Sequence, residues 1–87
     1  MAWTVEFSAQ ARKQLKALDR PVQRRLIDFL ESRVTRNPRA HGEAMTGPFS
    51  GFWKYRVGDY RVVCELEAAR LVVWVLKVGH RREVYRR

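Results

Sequence analysis

The chain has 87 residues, with 18 Lys and Arg against 9 Asp and Glu, a formal charge of +9, and 46% hydrophobic and 11% aromatic residues. Such a length holds a single domain, residues 1–87, around a small core, and the hydrophobic content excludes a disordered chain. One cysteine excludes an internal disulfide, no apolar run reaches the roughly 18 residues of a membrane-spanning helix, and the opening MAWTVEF lacks the basic start and apolar core of a signal peptide, so the cytoplasm is the expected location. The charge excess attracts polyanions over long range. Nucleic acid is the leading partner class, ahead of an anionic membrane surface or an acidic protein.

AWTVEFS alternates, with Trp3, Val5 and Phe7 on one face, and reads as a first strand. Ser8 is a good N-cap for the helix that follows, in which Ala11, Leu15 and Leu18 recur at helical spacing while Arg12, Lys13 and Lys16 lie off the stripe. Asp19 caps a second helix with Pro21 in its first turn. Val22, Leu26, Phe29, Leu30 and Val34 form its apolar stripe, and Arg24, Arg25, Arg33 and Arg36 ride outside it. NPRAHGEAMTGPFSG reads as a loop punctuated by Pro and Gly. WKYRVGDYRVV then predicts a tight hairpin closed by Gly58-Asp59, with Val57 opposite Tyr60 and Arg56 opposite Arg61.

In that register Trp53, Tyr55, Val57, Tyr60, Val62 and Cys64 share an apolar face, and Lys54, Arg56 and Arg61 share the other. Cys64 is then a small buried hydrophobe. LVVWVLKVG, apolar and rich in β-branched residues, predicts a central strand, and HRREVYRR is the tail. The expected fold is α+β: strand-helix-helix followed by a three-stranded antiparallel meander. The helical hairpin packs on one sheet face, and the other face is left open with the three cations.

The nine carboxylates are scattered, without the clustering of a metal cage or a two-metal nuclease site, so no metal or other cofactor is expected. No Ser-His-Asp arrangement and no phosphate-cradling glycine loop is visible. What remains is cationic: Lys54, Arg56 and Arg61, within reach of a tail holding His80, Arg81, Arg82 and Tyr85. RNA is cut without metal when the 2′-OH is activated, the phosphorane charge is stabilised and the leaving 5′-oxygen gains a proton. Arginine forks suit the phosphorane, a lysine among cations suits the base, and Tyr or His suits stacking or proton transfer. Basic residues on an open sheet face are more often a solvated or passive binding surface than a reaction centre. A lone loop histidine such as His41 is more often neither acid nor base. Residue chemistry alone leads to a nucleic-acid-binding domain with nuclease potential.

GFWKYRVGDYRVVCEL and VVWVLKVGHRREVY, after the strand-helix-helix order, resemble RelE-type toxins of the RelE/ParE toxin–antitoxin superfamily across essentially the whole chain. The resemblance implies the toxin of a microbial type II toxin–antitoxin system, a ribosome-dependent mRNA endoribonuclease (an mRNA interferase) that cuts the A-site codon by metal-independent 2′-OH attack. The implied partners are the ribosome and mRNA, and a cognate antitoxin with an acidic toxin-binding segment. Operator DNA would be met only through that antitoxin, and no membrane is involved.

By position, Lys54 matches the first catalytic lysine and Arg56 the second basic residue, often lysine. Arg61 matches the phosphate-contacting arginine, Arg81 the tail arginine of leaving-group chemistry, and Tyr85 the tyrosine that stacks on the A-site base. His80 and Arg82 are auxiliary candidates. Arg12, Lys13, Lys16, Arg24 and Arg25 are candidates for holding the ribosome. Arg56 stays protonated and is a poor base, which shifts any base role to Lys54. Two alternatives remain: a ParE-like poison of DNA gyrase with the same fold, and a non-enzymatic RNA-binding module.

Overall fold

The computed structural model describes residues 2–80. A first strand, β1 (Thr4–Phe7), leads into α1 (Ala9–Lys16) and α2 (Arg20–Phe29). Three strands follow in antiparallel order: β3 (Trp53–Val57), β4 (Tyr60–Glu67) and β5 (Val72–His80). A two-residue strand, β2 (Glu43–Ala44), precedes them. The sheet has five strands in the order β1-β5-β4-β3-β2. The expected α+β architecture is therefore present, with two additions. β1 pairs parallel to β5 from Thr4↔Val72 to Phe7↔Val75, and β2 extends the meander at its far edge. β5 is an interior strand as its apolar run implies, although β4 occupies the middle of the five.

Local chemistry sets the helix ends. The Ser8 hydroxyl accepts from the Ala11 N–H at 3.0 Å, as the N-cap reading requires, and also donates to the Leu76 carbonyl. Asp19 stands at the second N-cap but makes no side-chain cap bond there. Gln23 reaches back instead, and its amide donates to the Leu18 carbonyl at 2.7 Å. Pro21 lies in the first turn, where a missing N–H costs nothing. α2 continues into one π-helical turn, Leu30–Val34, where the Thr35 N–H reaches the Leu30 carbonyl. There the Ser32 and Thr35 hydroxyls donate to the Asp28 and Glu31 carbonyls, a back-bonding that loosens a helix.

The main core lies between the helices and one sheet face: Ala11, Leu15, Leu26, Leu30, Val34, Tyr55, Val62, Cys64, Val73, Val75 and Val78. Val22 and Phe29, expected in the stripe, are half-buried against it. A bulge in β5 interrupts alternation. Val63 pairs with Lys77 but Cys64 with Val75, so Leu76 is the extra residue. Val73 and Val75 face the helices before it and Val78 after it. β1 pairing ends at Val75, and beyond it the Gln14 side chain accepts the Val78 N–H at 2.8 Å. α1 thus satisfies a donor that the sheet leaves unpaired.

The second face is less open than the sequence predicts. The segment read as a loop holds β2 and two short 3₁₀ turns, Pro38–Ala40 and Gly47–Phe49. Met45, Phe49 and Phe52 fold over this face and bury Val63 to 4% exposure. The reason is the parity of Val63, an apolar residue on the cationic side of β4 that needs cover.

Candidate functional site

Hairpin geometry puts the cations together. Gly58 has φ +60 and Asp59 does not have a positive φ, the pattern of a two-residue type II′ turn. That loop fixes the register Lys54↔Val63, Tyr55↔Val62, Arg56↔Arg61 and Val57↔Tyr60, as alternation predicts. Tyr55 is fully buried, with its hydroxyl donating to the Pro38 carbonyl at 2.9 Å and its ring edge-on to Phe29. With Tyr55 locked on the helical side, Lys54 and Arg56 must face the other way. Lys54, Arg56 and Arg61 line one open pocket of about 280 Å³ with Gly42 and Glu43. Arg56 is exposed and Arg61 half-buried, with Arg61 Nη1 donating to the Tyr60 carbonyl at 3.3 Å.

Two members of this face escape the sequence reading. Glu43 pairs with Lys54 in the β2–β3 ladder, and its Oε1 lies 3.4 Å from Lys54 Nζ. Lys77 lies opposite Val63 and so shares the face of Lys54. Simple alternation from Val73 and Val75 would put Lys77 in the core, and the bulge at Leu76 reverses it. Gly79 faces Arg61 across the β4–β5 ladder, which leaves that row without a bulky neighbour. Further along the same face the charge reverses, with Glu6 and Glu65 flanking Trp74 in register and Trp74 Nε1 donating to Glu67.

The other candidates lie elsewhere. His80 pairs with Tyr60 in register, and the two rings meet edge to face at 6.0 Å on the helical side of the sheet, away from the pocket lining. Arg12, Lys13, Lys16, Arg24 and Arg25 are all exposed on the helices, a second basic surface that does not line the pocket. Arg25 comes nearest the hairpin, with its guanidinium beside Gly58. Arg81, Arg82 and Tyr85 lie outside the described residues. His41 presents its carbonyl to the Trp53 indole N–H and its ring edge to Phe29.

The pocket combines three cations, which match a phosphodiester and its extra negative charge during transfer, with one carboxylate, which can accept a proton. Cys64 is fully buried, and burial pushes its thiol well above the ordinary range, so it is no nucleophile at neutral pH. Among the described residues no group of three or more His, Cys, Asp or Glu is placed to hold a metal ion. Nor, among them, is any helix long and apolar enough to cross a membrane.

Comparison with known proteins matches this architecture. Toxin RelG of Mycobacterium tuberculosis is 29% identical over 87 residues, covering all of both chains. The toxin–antitoxin complex RelBE2 of the same organism contains a chain with a TM-score of 0.88 and 26% identity, over 93% of this chain and 100% of that one. A mutant of Escherichia coli toxin RelE in the free state has a TM-score of 0.77 and 28% identity, over 92% of this chain and 84% of that one. Residues 5–85 match the family described as the ParE toxin of type II toxin–antitoxin systems, parDE. The chain belongs to this family, and with it to the RelE/ParE superfamily of type II toxins.

Proposed function

We propose that this toxin is a metal-independent endoribonuclease that cuts mRNA on the ribosome, with the pocket of Glu43, Lys54, Arg56 and Arg61 as its reaction centre. The observation that carries the reading is the convergence of those three cations and one carboxylate on a single open pocket. In the step envisaged, a 2′-oxygen forms a bond to phosphorus while the bond to the 5′-oxygen breaks. The 2′-OH proton passes to the Glu43 carboxylate, which the Lys54 ammonium holds at the pocket, and Arg56 and Arg61 hold the phosphorane oxygens. The 5′-oxygen gains its proton from solvent while the Arg81 guanidinium, which the family resemblance assigns to the leaving group, offsets its developing charge, and Tyr85 stacks on the base. The helical cations Arg12, Lys13, Lys16, Arg24 and Arg25 hold ribosomal RNA on the opposite face. The chain's partner is a cognate antitoxin, as in the RelBE2 complex of M. tuberculosis.

The test is single-turnover cleavage on programmed ribosomes with analysis of the product ends. A 2′,3′-cyclic phosphate or 3′-phosphate is expected, and a 3′-hydroxyl end overturns the 2′-OH mechanism. A second reading, poisoning of DNA gyrase, has one observation in its favour: the matching family is described by its ParE toxins. Inhibition of gyrase supercoiling without mRNA cleavage would establish that reading instead.

A further inference from the structure

Glu43 sits on a strand that cannot hold it alone. β2 has two residues, lies at the sheet edge and pairs only with β3, and the Glu43 side chain is 71% exposed. An exposed ion pair is too weak to fix its own backbone. The fixing comes from the residues just before it. Gly42 has φ +66, and a Cβ there would lie 2.1 Å from the Lys54 carbonyl oxygen, 2.8 Å from Tyr55 Cδ1 and 2.9 Å from Trp53 Nε1. None of these can retreat: one is ladder backbone, one belongs to a fully buried ring, and one is tied by a hydrogen bond. That bond, 2.8 Å from the Trp53 indole N–H to the His41 carbonyl, grips the chain one residue earlier.

We propose that Gly42 and Trp53 are positioning residues: together they clasp segment 41–43 onto β3 and so set the Glu43 carboxylate against Lys54 in the pocket. Trp53 precedes Lys54 and Gly42 precedes Glu43, so each member of the ion pair is adjacent in sequence to one member of the clasp. Gly42 supplies the close approach and the left-handed turn, and Trp53 supplies the tie. The kinetic part of this inference rests on the ribonuclease reading of the pocket, and the spectroscopic part does not.

The experiment follows the Lys54 side-chain Cε resonance by NMR in the full chain. Glu43→Gln displaces it. Gly42→Ala and Trp53→Phe are expected to displace it in the same direction, and Glu43→Gln added to Gly42→Ala to move it no further. Gly47→Ala is the control, because Gly47 has φ +64 but nothing within 4 Å, so it carries the backbone strain without the clash. Trp53→Phe keeps an aromatic ring and removes the N–H, which preserves a readout if Gly42→Ala fails to fold. In single-turnover cleavage, Glu43→Gln and Gly42→Ala should each slow the reaction by about 10²-fold with ribosome binding retained, and the double variant should be no slower than either. The proposal is overturned if Glu43→Gln moves the Lys54 resonance while Trp53→Phe and every folded Gly42 variant leave it in place, or if the two effects add. A chain that cuts no RNA but shows the expected resonance pattern refutes the ribonuclease reading and upholds the clasp.

Discussion

Replacing Arg56 with Gln should stabilise the free protein. Arg56 faces Arg61 directly across the β3–β4 ladder, and both line the same pocket. Unit charges about 6–8 Å apart in water repel by roughly 0.5–0.7 kcal/mol. That lies within the roughly 0.2–1 kcal/mol typical of cross-strand pairs. Glutamine keeps most of the aliphatic stem and removes the charge, and Arg56 is exposed, so little packing is lost. For a domain of this size the gain corresponds to a rise in Tm of about 2–5 °C. The assay is thermal unfolding by circular dichroism in dilute, phosphate-free buffer. Two internal controls make it specific. In about 1 M salt, where the Debye length is roughly 3 Å, the difference should vanish. Added tripolyphosphate should raise the Tm of the parent more than that of Arg56→Gln, because only the parent offers both forks to the anion. A lower or unchanged Tm for Arg56→Gln at low salt, or a gain that persists in high salt, would refute the claim that repulsion is stored in this hairpin.

Tyr55→Phe leaves the buried Pro38 carbonyl without its donor and should cost about 1–2 kcal/mol, several degrees in Tm, and an unchanged Tm would contradict the geometry. Stability should fall at alkaline pH, because burial holds the Cys64 thiol and the Tyr55 phenol protonated well above their ordinary values of 9.0 and 10.0. The sign follows from proton counting: above about pH 9 the unfolded chain releases the thiol proton and the native chain keeps it. Stability is whole below that pH and declines by roughly 1.4 kcal/mol per unit above it, more steeply once Tyr55 joins past about pH 10. Denaturant midpoints between about pH 8 and 11 check this, and Cys64→Ala should delay the onset. In RNA binding, loss of Lys54, Arg56 or Arg61 should each reduce the log–log salt slope by about 0.7–0.9, and three unchanged slopes would move binding to the helical arginines. Arg81→Ala should lose most cleavage with ribosome binding nearly intact, whereas full activity in both Arg81→Ala and Tyr85→Ala would remove the tail from the reaction.

Short-range rules carried the hairpin. A Gly-Asp pair between alternating residues is a local signal, and once the turn is placed, period-2 alternation sends Lys54, Arg56 and Arg61 to one face with no further information. Helical spacing did the same for Leu15, Leu26, Leu30 and Val34, and Ser8 announced its cap. These features depend on neighbours within a few residues, so the sequence by itself determines them.

Contacts between distant segments lay beyond its reach. β2 is two residues long, too short for any periodicity, and it exists because β3 offers it a ladder, so Glu43 reached the pocket unannounced. β1 found a parallel partner more than 60 residues away, a choice that the alternation of Trp3, Val5 and Phe7 leaves open. The covering of Val63 by Met45, Phe49 and Phe52 required the long segment to fold back across the sheet. The bulge at Leu76 decided most. It reconciles a helix-facing Val75 with a helix-facing Val78, an odd spacing that strict alternation forbids. In doing so it turns Lys77 away from the core to the face that bears Lys54. Only the packed sheet, where a buried charge is too costly to keep, could select that register.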